Sequence, residues 1–333
     1  MTSWFHTALA ALPEPDLDSA RAIGERAAQV LRPAGALRRL DEIAIHVATW
    51  QATPRPRVEH PAVLVFAADH GVASAGVSAY PVEVTAAMLA AVRAGRATIN
   101  AIARSCGADL EIHDVGVGRP TGDIRVEPAM SPERFDEIAR SAAEAVDEMA
   151  DRGADLLVVG ELGIGNTTVS AALPAALIGG PAERWVGRGT GVDDDGLARK
   201  VDAVSSAVAR IGSTTDPIEI FREVGGAELV AMSAAVVRAR QRRIPVVLDG
   251  YVATASVLPL HEAMNGSLDH CLIGHLSAEP GHRWLCDHLG AEPVLDLGMR
   301  LGEGSGALAA VPLVRLACDC VVEVPTFEEW FAT

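Results

Sequence analysis

The sequence predicts an α/β protein: an open parallel sheet flanked by helices, with a small helical domain built from both chain ends. Three observations predict it. Short apolar runs end in polar or glycine-rich turns, Ala-rich stretches with helical spacing lie between them, and the strand, turn, helix order repeats along the chain. The runs are continuously apolar instead of alternating, as expected of parallel strands buried on both faces.

Residues 17–31 and 36–49 carry helical periodicity, and a Thr-Pro-Arg-Pro-Arg linker at 53–57 separates them from the first strand, so residues 1–58 are assigned to the small domain. Strands are predicted at 63–67 before Asp69-His70-Gly71, at 110–112 before Asp114, and at 156–160 before Glu161. Further strands are predicted at 246–248 before Asp249-Gly250, at 271–274 before His275, and at 294–297 before Gly298. Helices are predicted over 84–104, 132–152, 196–211 and 227–240, which makes 59–306 the large α/β domain. Residues 307–322 are again helical, and 307–333 return to the small domain. Ligands of open α/β sheets bind outside the carboxyl ends of the strands, so these turns are where chemistry is expected.

With 333 residues, 49% of them hydrophobic, the chain can bury a large core, and its length suggests two domains. A formal charge of −16 argues against a nucleic-acid groove or an anionic membrane surface, both of which need clustered cations. A phosphate ligand would have to be held locally, by backbone N–H groups and one or two cations. The five cysteines, at 106, 271, 286, 318 and 320, lack paired metal-ligand spacing and read as reduced thiols, most of them in the core. The N-terminal segment has no basic stretch followed by a continuous apolar one, and no uninterrupted apolar run approaches the roughly 18 residues of a membrane span. The cytoplasm is the expected location.

Four turns carry candidate chemistry. Gly160-Glu161-Leu162-Gly163-Ile164-Gly165-Asn166-Thr167-Thr168 follows a strand and opens a helix. Gly163 and Gly165 would let the backbone approach an anion, while Asn166, Thr167 and Thr168 would donate to phosphate or simply cap the helix. No P-loop Lys is present. Gly187-Arg188-Gly189-Thr190-Gly191 precedes Asp193-Asp194-Asp195, which either faces a ligand or caps the next helix, and Lys200 would be a mobile cation for phosphate. The third turn runs from His275 through Ser277 to His282. The fourth contains Glu303 between Gly302 and Gly304, either a base whose partner must come close or a helix-starting acid. His70, His275 and His282 lack the spacing of a metal site, and no Gly-x-Ser-x-Gly elbow supports a serine hydrolase.

Together Ala68 to Val72, Gly76 to Pro81, Gly160 to Thr168, Gly187 to Gly191, Val246 to Gly250, Ser277 to His282 and Asp296 to Gly306 resemble the nicotinate-nucleotide:dimethylbenzimidazole phosphoribosyltransferase family. The resemblance runs in order from about residue 60 to 326. It implies a homodimer, nicotinate mononucleotide and an aromatic base as substrates, and no cofactor or metal. It implies Glu303 as catalytic base, with Glu161 a second carboxylate beside the ribose. Gly163, Gly165, Asn166, Thr167, Gly189, Thr190, Gly191, Lys200 and Ser277 would hold the nucleotide and its phosphate. Asp249 would face the ribose, and Ser78, Tyr80, Leu162 and Leu301 the base.

Two departures stand out. Where many members carry a base-pocket Gln in the helix beginning near Glu83, this chain has Ala86-Ala87, and its C-terminal Glu323-Val324-Pro325-Thr326-Phe327 differs from the family's usual wording. The acceptor expected is therefore 5,6-dimethylbenzimidazole or a similar base. The alternatives are transfer to another acceptor in a specialised pathway, or a non-catalytic ribotide-binding protein.

Overall fold

The computed structural model describes residues 3–332; residues 1, 2 and 333, the outermost parts of the two chain-end segments, lie outside it. Five parallel strands form one sheet: β1 Pro61–Ala68, β2 Asp109–Gly116, β3 Leu156–Leu162, β4 Val246–Leu248 and β5 Cys271–Ile273. Their order is β2-β1-β3-β4-β5. The chain steps outward from β1 to β2 and then returns to the other side of β1, so the direction of winding reverses between β1 and β3. The carboxyl ends of those two strands flank the crevice where such sheets bind ligands. A register irregularity between Ala67 and Ala68 loosens β1 as it delivers Asp69 and His70 to that edge.

Period-two geometry sends alternate residues of the strands to opposite faces. Ala62, Leu64 and Phe66 of β1, with Leu157 and Val159 of β3, pack under helices Pro132–Asp151, Asn166–Leu177, Ala227–Gln241 and Tyr251–Ala263. Val63, Val65, Leu156, Val158 and Val247 face the other way, against helices Leu17–Gln29, Arg38–Gln51, Thr98–Cys106 and Ser305–Val322. The chain-end helices contact one another, and Arg26 ties them further by donating to the carbonyls of Val321 and Val324. They form a layer that shares its core with the sheet. The first helix, Trp4–Leu9, packs on the opposite face, where Phe5 meets Phe135 at 5.4 Å.

Two sequence expectations change. The run at 294–297 adds only a bridge, Leu295 to His275, because the chain turns out to solvent at Asp296 and leaves the sheet. The helix expected over 84–104 is two helices, Glu83–Arg93 and Thr98–Cys106. Gly95 turns the chain between them with φ +73°, and the Asn100 side chain bonds Ala97 N–H and the Val92 carbonyl. Helix Ser305–Val322, interrupted by Arg315 and Asp319, still satisfies the length and mean hydropathy of a membrane span. It is nevertheless a core helix, and its Arg315 donates to the carbonyls of Val58 and Cys106.

Candidate active site

A cavity of about 540 Å³ opens at the carboxyl edge of the sheet. Of the predicted residues, Glu161, Leu162, Gly163, Asn166 and Thr167 reach it from β3 and the helix after it. Gly189, Thr190, Asp249, Ser277, Leu301 and Glu303 enter from the other turns, and Tyr80 from the turn after the 3-10 helix Gly71–Ala75. Ser78, Gly165 and Lys200 line a small adjoining crevice that shares Thr167 and Gly189 with the main cavity. Gly191 borders neither and is exposed, so its placement is that of a turn residue.

The turn that carries Glu303 is held under strain. Gly302, Glu303 and Gly304 have consecutive φ values of +86°, +66° and +86°. Glycine adopts this region freely, but Glu303 does not, and such conformations persist only where surrounding contacts over-determine them. Asp249 supplies those contacts: one carboxylate oxygen accepts from Gly304 N–H at 3.1 Å and the other from Ala307 N–H at 2.8 Å. Both oxygens are thereby spent on the turn and the start of helix Ser305–Val322, while His275 Nε2 stands 3.4 Å away. Asp249 lines the cavity, and these contacts make it a positioning residue for the turn that carries Glu303.

Glu303 is 4% exposed, and its Oε2 has no hydrogen-bond partner. Burial raises its pKa above the ordinary carboxylate value; a backbone hydrogen bond from Ile99 opposes this and the charge of Asp249 adds to it. Glu161 is pushed well up, first by burial and then by the charges of Asp249, Glu228 and Glu303, with a hydrogen bond from Asn166 Nδ2 pulling the other way. A cavity that concentrates carboxylates in this manner favours a cationic ligand. Behind Gly163, His70 Nε2 and Glu228 Oε1 form a buried pair 2.8 Å apart. A β-carbon on Gly163 would lie 2.7 Å from the Ala68 carbonyl oxygen and 2.9 Å from His70 Nε2, so only glycine fits against this pair.

In the adjoining crevice, Lys200 is 1% exposed and fixed, where the sequence suggested a mobile cation. Its ammonium donates to Thr167 Oγ1 at 2.9 Å and to the Gly187 carbonyl at 2.7 Å. Burial lowers its pKa to about 8, against the attraction of Glu279. Asp193 accepts from Gly196 N–H and caps helix Asp194–Ile211, which settles the reading of that acidic run in favour of capping. Of the two histidines of the third turn, His275 lines the cavity with its Nδ1 unpartnered, whereas His282 is structural. Ser277 N–H donates to His282 Nδ1 at 2.9 Å, so His282 Nε2 carries the proton and donates to Thr254 Oγ1 at 3.0 Å, which in turn donates to the Gly250 carbonyl. One imidazole thus positions both Ser277 and Gly250. Burial, above all, drives its pKa down to about 3 and keeps it neutral.

Several cavity residues escaped the sequence reading. Glu279 accepts from Gly189 N–H at 2.9 Å and shapes the glycine loop; its place in the His275 to His282 turn was the available signal. Val84, Thr85 and Met88 form the wall contributed by helix Glu83–Arg93, whereas Ala86 and Ala87 are exposed and off the cavity. Thr85 accepts from Ile164 N–H, an apolar-helix position with no signature. Arg300 lines the mouth.

A family model described as phosphoribosyltransferase matches residues 12–330. A nicotinate-nucleotide–dimethylbenzimidazole phosphoribosyltransferase of Methylocella silvestris is 49% identical over 321 residues, 96% of this chain and 92% of the relative. One of the same name from Jannaschia sp. is 48% identical over 328 residues, covering 98% and 96%. The crystal structure of CobT from Thermus thermophilus superposes with a TM-score of 0.90 at 41% identity, covering 94% of this chain and 98% of that one. The chain belongs to the phosphoribosyltransferase family that these proteins represent.

Proposed function

We propose that the cavity transfers the phosphoribosyl group of nicotinate mononucleotide to 5,6-dimethylbenzimidazole, giving α-ribazole 5′-phosphate and nicotinate. The observation that carries this reading is Glu303, strained, buried and with one carboxylate oxygen unpartnered at the wall of an acid-lined cavity. In the nucleotide the glycosidic nitrogen is a pyridinium, so the C1′–N bond breaks with its electron pair returning to the nicotinate ring and no general acid is needed. A benzimidazole nitrogen attacks C1′ from the opposite face, inverting it, while the N–H proton on its other nitrogen passes to Glu303. Its raised pKa makes Glu303 a better base than an ordinary carboxylate. Glu161, ionised once a cation enters, stabilises the positive charge that develops at the ribose. Thr167, Gly189, Lys200 and Ser277 hold the phosphate, with Leu162, Leu301 and Tyr80 toward the base; Ser78, which lines the Lys200 crevice and accepts from Tyr80 N–H, props the Tyr80 turn instead of meeting the base.

As the assembly we infer a homodimer: Tyr80 and Leu301 line the cavity yet are 52% and 54% exposed, an apolar rim that a second copy would cover. Light scattering at twice the chain mass supports it, and a monomeric mass rejects it. The five unpaired cysteines fit a cytoplasmic enzyme. The reaction is tested by incubating the protein with nicotinate mononucleotide and a panel of bases and following nicotinate release. Release driven by dimethylbenzimidazole is expected; release driven only by other bases reassigns the acceptor, and none at all reduces the protein to a binder.

A further inference from the structure

Helices Tyr251–Ala263 and Pro280–Leu289 both start at the cavity: Tyr251 and Val252 line it, as do Ser277 and Glu279 just ahead of the second helix. The two helices pack together, and their far ends bring His261 and His288 into neighbouring last turns. There one ligand atom from each of His261, Glu262 and His288 lies within 4.8 Å of the other two. His288 Nε2 stands 2.7 Å from Glu262 Oε1, and the two imidazole rings meet edge on with centroids 5.8 Å apart. The histidines singled out in the sequence, by contrast, are each engaged with separate partners. Among the described residues, this is where His and carboxylate ligands converge.

Two imidazoles and a carboxylate suit a late first-row divalent ion, not the all-oxygen shells of Mg²⁺ or Ca²⁺. A second feature points the same way. Both helices end here, and the unpaired carbonyls and aligned peptide dipoles of a helix C-terminus attract cations. The Glu262 and His288 side chains are 28% and 33% exposed, which leaves an entry path and room for water to complete the coordination. We propose that His261, Glu262 and His288 form a Zn²⁺ site that clamps the far ends of the two helices carrying one wall of the cavity. A helix of 13 residues spans roughly 20 Å, so the ion stands well apart from the reacting atoms.

The test uses the full-length, untagged protein, titrated calorimetrically with ZnCl₂ and followed by thermal unfolding, with MgCl₂ as the comparison ion. The expected result is saturable one-to-one Zn²⁺ binding with a rise in Tm, and no such response to Mg²⁺. His288→Gln is expected to weaken Zn²⁺ binding by about tenfold or more and to remove the Tm rise. His113→Gln, which disrupts a His–Glu pair of 3.2 Å lacking a third ligand, should leave both unchanged. Basal turnover should be normal in both variants, which also shows them to be folded. Absent wild-type binding, equal binding in His288→Gln, or loss in His113→Gln overturns the site; binding without a Tm rise overturns the clamp.

Discussion

Replacing Asp249 by Asn separates the positioning of Glu303 from its chemistry. The variant keeps one carbonyl oxygen, enough for Ala307 N–H at 2.8 Å, but turns an amide NH₂ toward Gly304 N–H, which the wild-type carboxylate bonds at 3.1 Å. A hydrogen bond to a charged group contributes about 1.5–3 kcal/mol, and a buried N–H left unpaired costs about 1–3 kcal/mol. The strained geometry at Glu303, φ +66°, therefore loses on the order of 2–4 kcal/mol of support against relaxed alternatives. Translated at about 1.4 kcal/mol per decade, turnover should fall roughly 30- to 10³-fold. Nucleotide affinity should hold, because Lys200 and Ser277 bond other partners. A second readout distinguishes this from general damage. After burial, the charge of Asp249 is among the causes that raise both Glu161 and Glu303, so neutralising it lowers both pKa values. Because the active form is the ionised carboxylate, the acid limb of the residual pH–rate profile should move to lower pH. Turnover within about threefold of wild type, with an unmoved acid limb, would refute the reasoning.

Glu303→Gln should retain nicotinate mononucleotide binding and lose about 10²- to 10⁴-fold in turnover; near-normal rates of nicotinate release would transfer the role to Glu161 or water. Lys200→Ala should weaken nucleotide binding, and in the wild type affinity should fade as pH rises through about 8, where the buried ammonium loses its proton. A calorimetric dissociation constant indifferent to either change would remove Lys200 from the phosphate site. Stability should also fall with acid. His46 and His270 are buried, and desolvation takes them from 6.5 to about 4 and about 3, so between those values and 6.5 the unfolded chain binds protons that the folded one refuses. The stability they confer is complete above pH 6.5 and declines below it, by about 1.4 kcal/mol per histidine per pH unit. Urea unfolding is best compared at pH 7 and 5.5 in a Glu161→Gln, Glu303→Gln double variant, which lacks the two cavity carboxylates whose raised pKa values act in the opposite direction. Equal midpoints at the two pH values would sink the prediction.

The strands were legible because a parallel strand buried on both faces leaves an unbroken apolar run, and β1, β3 and β4 all do so. Helix Tyr251–Ala263 was not, since it is buried nearly all round, has no polar face to set a period, and contains Pro259. The same difference in range divides the site. Glu161, Gly163 and Glu303 sit in local strand-to-helix turns whose composition advertises them. What makes those turns work comes from far along the chain: Asp249 reaches Gly304 and Ala307 across 55 and 58 positions, and His70 meets Glu228 across 158. A lone Asp after a short strand carries no local sign that both its oxygens will be spent on holding a glutamate in a left-handed backbone. The order of causes follows from this. Glycines on either side of Glu303 make the strained turn possible, but only the assembled sheet, by bringing β4 and Asp249 beside the start of helix Ser305–Val322, holds it there, and the raised pKa of the carboxylate is a property of that assembled edge.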